Sequence, residues 1–361
     1  MTMLHVPVVD LEPFYSGDSA ARKRVAEEMD QVCRDIGFLV VTSHPIQTEL
    51  MKAVQDVSLD FFALPEAEKL KLKSPLEGTA GLRGYSPMMD ESLSHSIGVK
   101  APGDIKETVT MGPPGASEAR YLMADDYYVC EDACNYFVPN VWPEQPHNMR
   151  PLWEEYFRAM DKFSRELHQL CALALDLPED YFVPLTDKHF SVFRALHYPK
   201  LTKAPEPGQV RAGEHSDYDD LTICMVQPGL QTRNRDGNWV DVPVVEDALV
   251  INLGDFLMRW TNDRWVSNRH RVINPPLDSA TNVPRLSLIY FCNCNYDAMI
   301  ECLPNCQDAG QPPKYPPIKT IDYINEKFTR QFLFEEWSEE NSAAFGTADT
   351  ETRFKDTQAP A

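Results

Sequence analysis

The sequence predicts a mainly β fold with flanking helices, an antiparallel double sheet of the jelly-roll kind. Two observations carry this expectation. From Phe190 onward the chain is a series of short β-rich segments, SVFRALHYP, LTICMVQ, GLQTR, NWVDVP, ALVINL and RLSLIYF, parted by Gly, Asn, Asp or Pro. Closely spaced strands with such punctuation are the mark of a jelly roll. Ahead of them the apolar residues recur at threes and fours, most clearly Leu152, Tyr156, Met160, Phe163, Leu167 and Leu170, which is the helical period.

Taken in order, the opening VPVVDL suits a short strand, and the turn-like YSGDSAAR leads into a helix with Val25, Met29, Val32 and Cys33 on one face. Gly37 ends that helix and FLVV reads as a buried strand. A second helix is expected from Gln47 to Phe62, and Pro65 opens a short third. Between Lys73 and Gly115 the chain is rich in Gly, Pro, Ser and Met without a sustained period. A loop region of that length is usually functional or mobile. The longest helical pattern, Met149 to Leu177, is expected to back the core. Helical patterning returns from Thr320 to Trp337, and the last residues, rich in Glu, Thr, Ala and Asp, read as a frayed acidic tail. The expected organisation is therefore an N-terminal region of helices, edge strands and loops over 1–120, a jelly-roll core with its long supporting helix over 121–335, and the tail over 336–361.

With 361 residues, 43% apolar and 25% charged, the chain has a globular composition and enough length for a large core, in one large domain or two modest ones. Its formal net charge of −21 repels phosphate backbones and anionic lipid, so neither nucleic acid nor membrane is an expected partner. No run of about eighteen uncharged apolar residues is present, and MTMLHVPVVDLEPF has neither the basic nor the apolar region of a secretion signal. A cytoplasmic protein is expected. The nine cysteines, an odd number, then read as reduced thiols. Cys292, Cys294, Cys302 and Cys306 lack paired CxxC knuckles, so a structural zinc site is the lesser reading there. Cys130 and Cys134 fare no better.

The segment AGEHSDYDDLT places His215 and Asp217 two residues apart, on one face if the chain is extended. VSNRHRVIN supplies His270 as a third donor. Two histidines and one carboxylate on three corners of an octahedron leave three positions open, an arrangement suited to iron(II) that binds a cosubstrate and dioxygen together. His-x-Asp alone occurs by chance in many proteins, so the weight comes from the third donor and from a second pair. In PRLSLIYF, Arg285 and Ser287 also share a strand face. A guanidinium forks onto a carboxylate and a neighbouring hydroxyl adds a bond, a ready cradle for the distal carboxylate of 2-oxoglutarate. An isolated Arg-x-Ser pair would more often be a solvated surface feature.

Around this centre Arg194, Leu196 and Tyr198 share a face on another extended segment. A buried Arg194 needs an anionic or carbonyl partner, which a substrate carboxylate or an internal one would supply equally well. Phe291, six residues after Arg285, either flanks a substrate or packs in the core. Arg83 and Tyr85, in the glycine-bearing loop, either close over the pocket or belong to a surface loop. Asp255 and Asn262 are read as residues that fix the ligand-bearing segments.

The stretches VPVVDL, GFLVV, RGYSP, DIKE, HYP, HSDYDDLT, NLGDFLMRWTND, NRHRV, RLSLIYF and IECLPNC followed by PPKYPPI run from Val6 to Phe328. In this order they resemble the isopenicillin N synthase-like superfamily of Fe(II)/2-oxoglutarate-dependent dioxygenases. The resemblance implies a double-stranded β-helix, or distorted jelly-roll, core. It implies Fe(II) on His215, Asp217 and His270, 2-oxoglutarate on Arg285 and Ser287 with Tyr198 lining a carboxylate, dioxygen as the oxidant, and ascorbate in support. Many relatives carry Asn two positions before that tyrosine, where this chain has Leu196, so one polar contact to the cosubstrate is absent or replaced by water. FCNCNYDAMIECLPNC matches a family segment that normally binds no metal.

The activity so implied is oxidation of an unactivated C–H bond of a small molecule, by hydroxylation, desaturation or cyclisation, in specialised metabolism and by a monomer or weak homodimer. Two alternatives stay open. One is an isopenicillin N synthase-type oxidase that uses no 2-oxoglutarate, and the other is a catalytically silent ligand-binding protein on the same fold. The complete donor set speaks against the second.

Overall fold

The computed structural model describes residues 5–73, 83–115, 126–128, 136–225, 227–234, 236–307 and 310–332. The acidic tail expected over 336–361, with Cys130 and Cys134, lies outside them. In chain order the first elements are β1 (Val8–Asp10), α1 (Glu12–Ser16), α2 (Ser19–Asp35), β2 (Phe38–Thr42), α3 (Thr48–Phe62), α4 (Glu66–Leu70), β3 (Gly84–Ser86) and β4 (Glu107–Met111). Then come α5 (Met149–Ala174), α6 (Val183–Thr186), β5 (Val192–Tyr198), β6 (Ala212–His215), β7 (Leu221–Met225), β8 (Leu230–Arg233), β9 (Trp239–Asp241) and β10 (Leu249–Leu253). The last are α7 (Asp255–Trp260), β11 (His270–Val272), β12 (Arg285–Cys292), β13 (Met299–Ile300), β14 (Ile318–Lys319) and α8 (Thr320–Phe332).

Local chemistry explains the helices that back the fold. Asp18 caps α2 by accepting from the Ala21 N–H at 2.9 Å, an interaction worth about 1 kcal/mol. The helix buries Ala21, Val25, Ala26, Met29, Val32 and Cys33 along one side. Gly37, at φ +63°, follows it, and a Cβ there would collide with the Val266 carbonyl, so only glycine fits this close turn into β2. Helix α5 buries Trp153, Tyr156, Phe157, Met160, Phe163 and Leu167 and packs on α2, α3 and β12.

The strands form an eight-stranded sheet in the order β1-β2-β10-β7-β12-β5-β4-β3 and a four-stranded sheet in the order β6-β11-β8-β9, with β13 and β14 paired separately. This is the jelly roll. Strand alternation divides the large sheet into two faces. Phe193 and Tyr290 turn toward α5, where Phe193 meets the rings of Trp153 and Tyr156 at 4.6 and 5.0 Å, and Tyr290 meets Phe157 at 5.1 Å. The register pairs Tyr198↔Arg285, Leu196↔Ser287, Arg194↔Ile289 and Val192↔Phe291 present the opposite face, and all eight side chains line one cavity. His215, Ala212, Leu230, His270 and Val272 of the small sheet close its other side. Among the described residues no helix is long and apolar enough to cross a membrane.

Candidate active site and metal centre

His215 and His270 are direct register partners on β6 and β11, and their ring centroids lie 4.2 Å apart. Asp217 arrives just past the end of β6. Its Oδ1 is 3.7 Å from His215 Nε2 and 3.6 Å from His270 Nε2. One donor atom from each residue lies within 4.8 Å of the others, the one such grouping among the described residues.

Each donor is aimed by a neighbour. His215 Nδ1 is 2.8 Å from the Gly213 carbonyl and His270 Nδ1 is 3.3 Å from the Asn268 carbonyl. A protonated Nδ1 bonded to a carbonyl leaves the Nε2 lone pair free. Asp217 Oδ2 accepts from Thr222 Oγ1 and Asn252 Nδ2, both at 2.6 Å, which leaves Oδ1 turned toward the imidazoles. The loop that carries Asp217 is clamped by the start of α7. The N–H groups of Gly254, Asp255 and Phe256 donate to the carbonyls of Asp220, Asp217 and Asp219 at 2.9, 3.0 and 3.1 Å.

The protonation states suit a cation. Burial, followed by the neighbouring His270, pushes the His215 pKa down to about 3, so its imidazole is neutral at pH 7. Burial alone would raise Asp217, but His270, His215 and the bonds from Thr222 and Asn252 hold it below the usual carboxylate range. Asp219 is driven well above that range by burial and then by the charges of Asp217 and Asp220. The site thus keeps one ionised carboxylate beside two imidazoles, a donor set that fits a divalent first-row metal with open positions.

Arg285, which also lines the cavity, is 5% exposed. Its Nε donates to the Pro228 carbonyl at 2.9 Å, its Nη1 bonds Ser287 Oγ, and its guanidinium carbon stands 5.0 Å from the centroid of the Tyr198 ring. Among the described residues no carboxylate pairs with it. A buried cation without an internal counter-charge is a seat for an anion.

The outer wall holds a charge cluster that the sequence reading did not identify. Arg194 bonds Glu91 Oε1 and Thr108 Oγ1, both at 2.9 Å, so the internal carboxylate is the partner it finds. Lys106 reaches Glu91 at 3.0 Å and Asp104 at 2.9 Å. Asp104 in turn accepts from the Gly213 N–H at 3.0 Å, which ties the cluster to the strand bearing His215. From α8, Gln331 donates to Glu91 at 3.1 Å and accepts from the Tyr218 hydroxyl at 3.1 Å. Ile324, Phe328 and Gln331 of α8 line the cavity together with Leu93, Tyr218 and Phe291.

Arg83 and Tyr85, read either as closing over the pocket or as belonging to a surface loop, do not line it. Both are 3% exposed, because their segment forms the edge strand β3 against β4 and not a lid. Arg83 donates to the carbonyls of Val138 and Tyr136, and burial lowers its pKa to about 9. The Tyr85 hydroxyl donates to Glu107 at 2.7 Å. The cavity offers about 1110 Å³ of atom-free space with its open mouth included.

A jelly roll that gathers two imidazoles and one carboxylate in a cavity also lined by a buried arginine has the frame of a mononuclear metal oxygenase. Comparison with known proteins agrees. Residues 6–145 match the N-terminal model described as non-haem dioxygenase in morphine synthesis, and residues 189–294 match the 2OG-Fe(II) oxygenase superfamily. The chain is 33% identical over 333 residues to the 2-oxoglutarate-Fe(II) type oxidoreductase hxnY of Emericella nidulans, covering 90% of each chain. It is 30% identical over 350 residues to a homoarginine-6-hydroxylase of Oryza sativa, covering 91% of this chain and 98% of the other. A full-length Neurospora crassa protein crystallised with alpha-KG and thymine superposes with a TM-score of 0.74 at 29% identity, over 90% of this chain and 96% of that one. The chain belongs to the 2OG-Fe(II) oxygenase superfamily. It is an oxidoreductase that works with Fe(II) and 2-oxoglutarate on dioxygen.

Proposed function

We propose that His215, Asp217 and His270 hold the iron, that Arg285, Ser287 and Tyr198 receive the distal carboxylate of 2-oxoglutarate, and that a small neutral molecule is oxidised at a C–H bond. The convergence of the three donor atoms within 4.8 Å in the cavity that Arg285 and Ser287 also line carries this reading. With iron and cosubstrate bound, the centre couples loss of carbon dioxide to reduction of dioxygen and supplies the oxidant for the C–H bond. The protein's own share is placement and exclusion of water. Tyr218, Phe291, Phe328 and Leu93 wall the chamber in front of the donors.

A neutral substrate is favoured because the cations on that wall are already matched. Arg194 and Lys106 face Glu91 and Asp104, two positive against two negative groups. A substrate carboxylate would have to displace an existing buried pair. The thymine bound by the Neurospora crassa relative is uncharged and small, in keeping with this class. The seven described cysteines, all free thiols, support a reducing, cytoplasmic setting.

The test is substrate-stimulated succinate formation by the iron-loaded protein across neutral heterocycles, phenolics and terpenoids, with carboxylic acids as the contrast, and mass analysis of the products. A gain of about 16 mass units marks hydroxylation and a loss of about two marks desaturation or ring closure, as insertion of one oxygen or removal of two hydrogens requires. Stimulation confined to carboxylic acids would overturn the neutral-substrate reading. The cosubstrate assignment makes its own prediction. Arg285→Gln is expected to raise the KM for 2-oxoglutarate by roughly 10- to 100-fold, the worth of a charge-assisted pair at about 1.5–3 kcal/mol. Initial rates over a range of 2-oxoglutarate concentrations check this, and an unchanged KM would reject the cradle.

A further inference from the structure

Arg211 stands immediately before β6, four residues ahead of His215, and is 4% exposed. One of its nitrogens, Nη2, donates to the carbonyls of Pro199 at 3.2 Å and Val283 at 2.7 Å. Pro199 follows Tyr198, and Val283 lies two residues before Arg285. Tyr198 and Arg285 are themselves opposite each other in the β5–β12 ladder. A single guanidinium therefore staples the ends of the two strands that present the cosubstrate cradle.

The charges around it are unbalanced. Burial and then the nearby positive charge of Arg285 lower the Arg211 pKa, so the two cations feel each other. Arg211 spends its bonds on backbone carbonyls, and its Nε is buried without a partner. Arg285 spends its bonds on Pro228 and Ser287. Among the described residues neither has a carboxylate partner. Other buried or half-buried cations do face carboxylates, Lys69 with Glu107, Lys106 with Glu91 and Asp104, Arg264 with Asp30, while Arg259, 4% exposed, bonds the Pro316 carbonyl. Two buried like charges without an internal anion are costly unless a ligand brings the anion.

We propose that Arg211 is a positioning residue of the cosubstrate site, holding the Tyr198–Arg285 rung in place and adding a second positive charge behind Arg285 for the distal carboxylate of 2-oxoglutarate. This rests on the reading of Arg285, Ser287 and Tyr198 given above. Arg211 does not line the cavity, so it acts on the ligand through field and geometry and not by contact.

The experiment is an anaerobic titration of the full-length, Fe(II)-loaded protein, followed by the visible absorption that a chelated 2-oxo acid gives with Fe(II) and by the shift in melting temperature. Two probes separate charge from scaffold: 2-oxoglutarate, and 2-oxobutyrate, which chelates alike but lacks the distal carboxylate. Arg211→Gln is expected to weaken 2-oxoglutarate about tenfold, the scale of one partly screened charge nearby. Its Kd for 2-oxobutyrate is expected to stay within about twofold, since that probe carries no distal carboxylate for the second charge to attract. Arg211→Lys keeps the charge and is expected to restore most of the affinity. Should Arg211→Gln fail to fold, Arg211→Lys carries the test, with a 2-oxoglutarate Kd within about threefold of the parent expected because the charge remains. Equal weakening of both probes, or no change for 2-oxoglutarate, would overturn the proposal. Arg285→Gln, run alongside, separates the two readings: if it too leaves 2-oxoglutarate binding intact, the cradle itself is misassigned.

Discussion

Asp217→Ala is expected to leave the folded protein without iron, lowering metal affinity well beyond the ~100-fold that loss of a merely supporting hydrogen bond produces. Asp217 is the sole carboxylate in the donor grouping, and its Oδ1 stands equidistant, at 3.6–3.7 Å, from the two imidazole nitrogens. Without it two imidazoles face a divalent cation with no carboxylate charge to match it. The substitution also strands Asn252 Nδ2, a buried donor costing about 1–3 kcal/mol when unpaired, while Thr222 Oγ1 keeps Asp219 Oδ2 at 3.1 Å. Asp217→Asn is the companion variant, because it keeps the shape and an oxygen while removing the charge. Iron per chain after anaerobic loading and gel filtration gives the answer, with circular dichroism to show that the fold survives. A full equivalent of iron retained by folded Asp217→Ala, with oxygen uptake unchanged, would end the assignment.

The sequence made the donors visible for a reason that is only half correct. Two-residue spacing on an extended strand puts His215 and Asp217 on one face, yet β6 ends at His215. Asp217 turns inward because the N-terminal amides of α7 grip its loop. Period-two reading worked fully on β5 and β12, where Arg194, Leu196 and Tyr198 face the cavity beside Arg285, Ser287 and Phe291. In such strands alternation and burial agree. Composition misled at Arg83 and Tyr85, where glycine-bearing sequence suggested a loop and the chain instead enters the edge strand β3.

Glu91, Asp104 and Lys106 were illegible for a different reason. They sit in the aperiodic stretch between Lys73 and Gly115, where no local pattern says which side chains go inside. Asp104 and Lys106 even fall within DIKE, a stretch that carries family likeness but gives no role to its charges. Their meaning appears only when β4, β5 and the strand of His215 are brought together. The same holds for Ile324, Phe328 and Gln331. The helix bearing them was expected from its period, but the period cannot tell a cavity wall from ordinary core.

That hidden cluster yields the second large effect: Glu91→Leu is expected to destabilise the protein by about 3–5 kcal/mol at pH 7. Glu91 has 4% of its side chain exposed and answers both Lys106, 1% exposed, and Arg194, 11% exposed. Removing it leaves two buried cations to share Asp104. The pH dependence carries a definite sign. Burial alone would raise the Glu91 pKa, but Arg194 and Lys106 outweigh it and hold the carboxyl down to about 2, against an ordinary 4.5. A depressed carboxylate stabilises fully above its unfolded value and loses that contribution as pH falls toward the folded one. The gap between parent and Glu91→Leu should therefore be widest above pH 4.5 and close as pH drops toward 2. Urea unfolding at stepped pH measures it. Adding Arg194→Met to Glu91→Leu should recover part of the loss, because the double variant restores the balance of charge with one cation and one anion. A Glu91→Leu protein within about 1 kcal/mol of the parent at pH 7, the range of an exposed pair, would mean that water reaches the cluster. The wall would then be open to charged substrates after all.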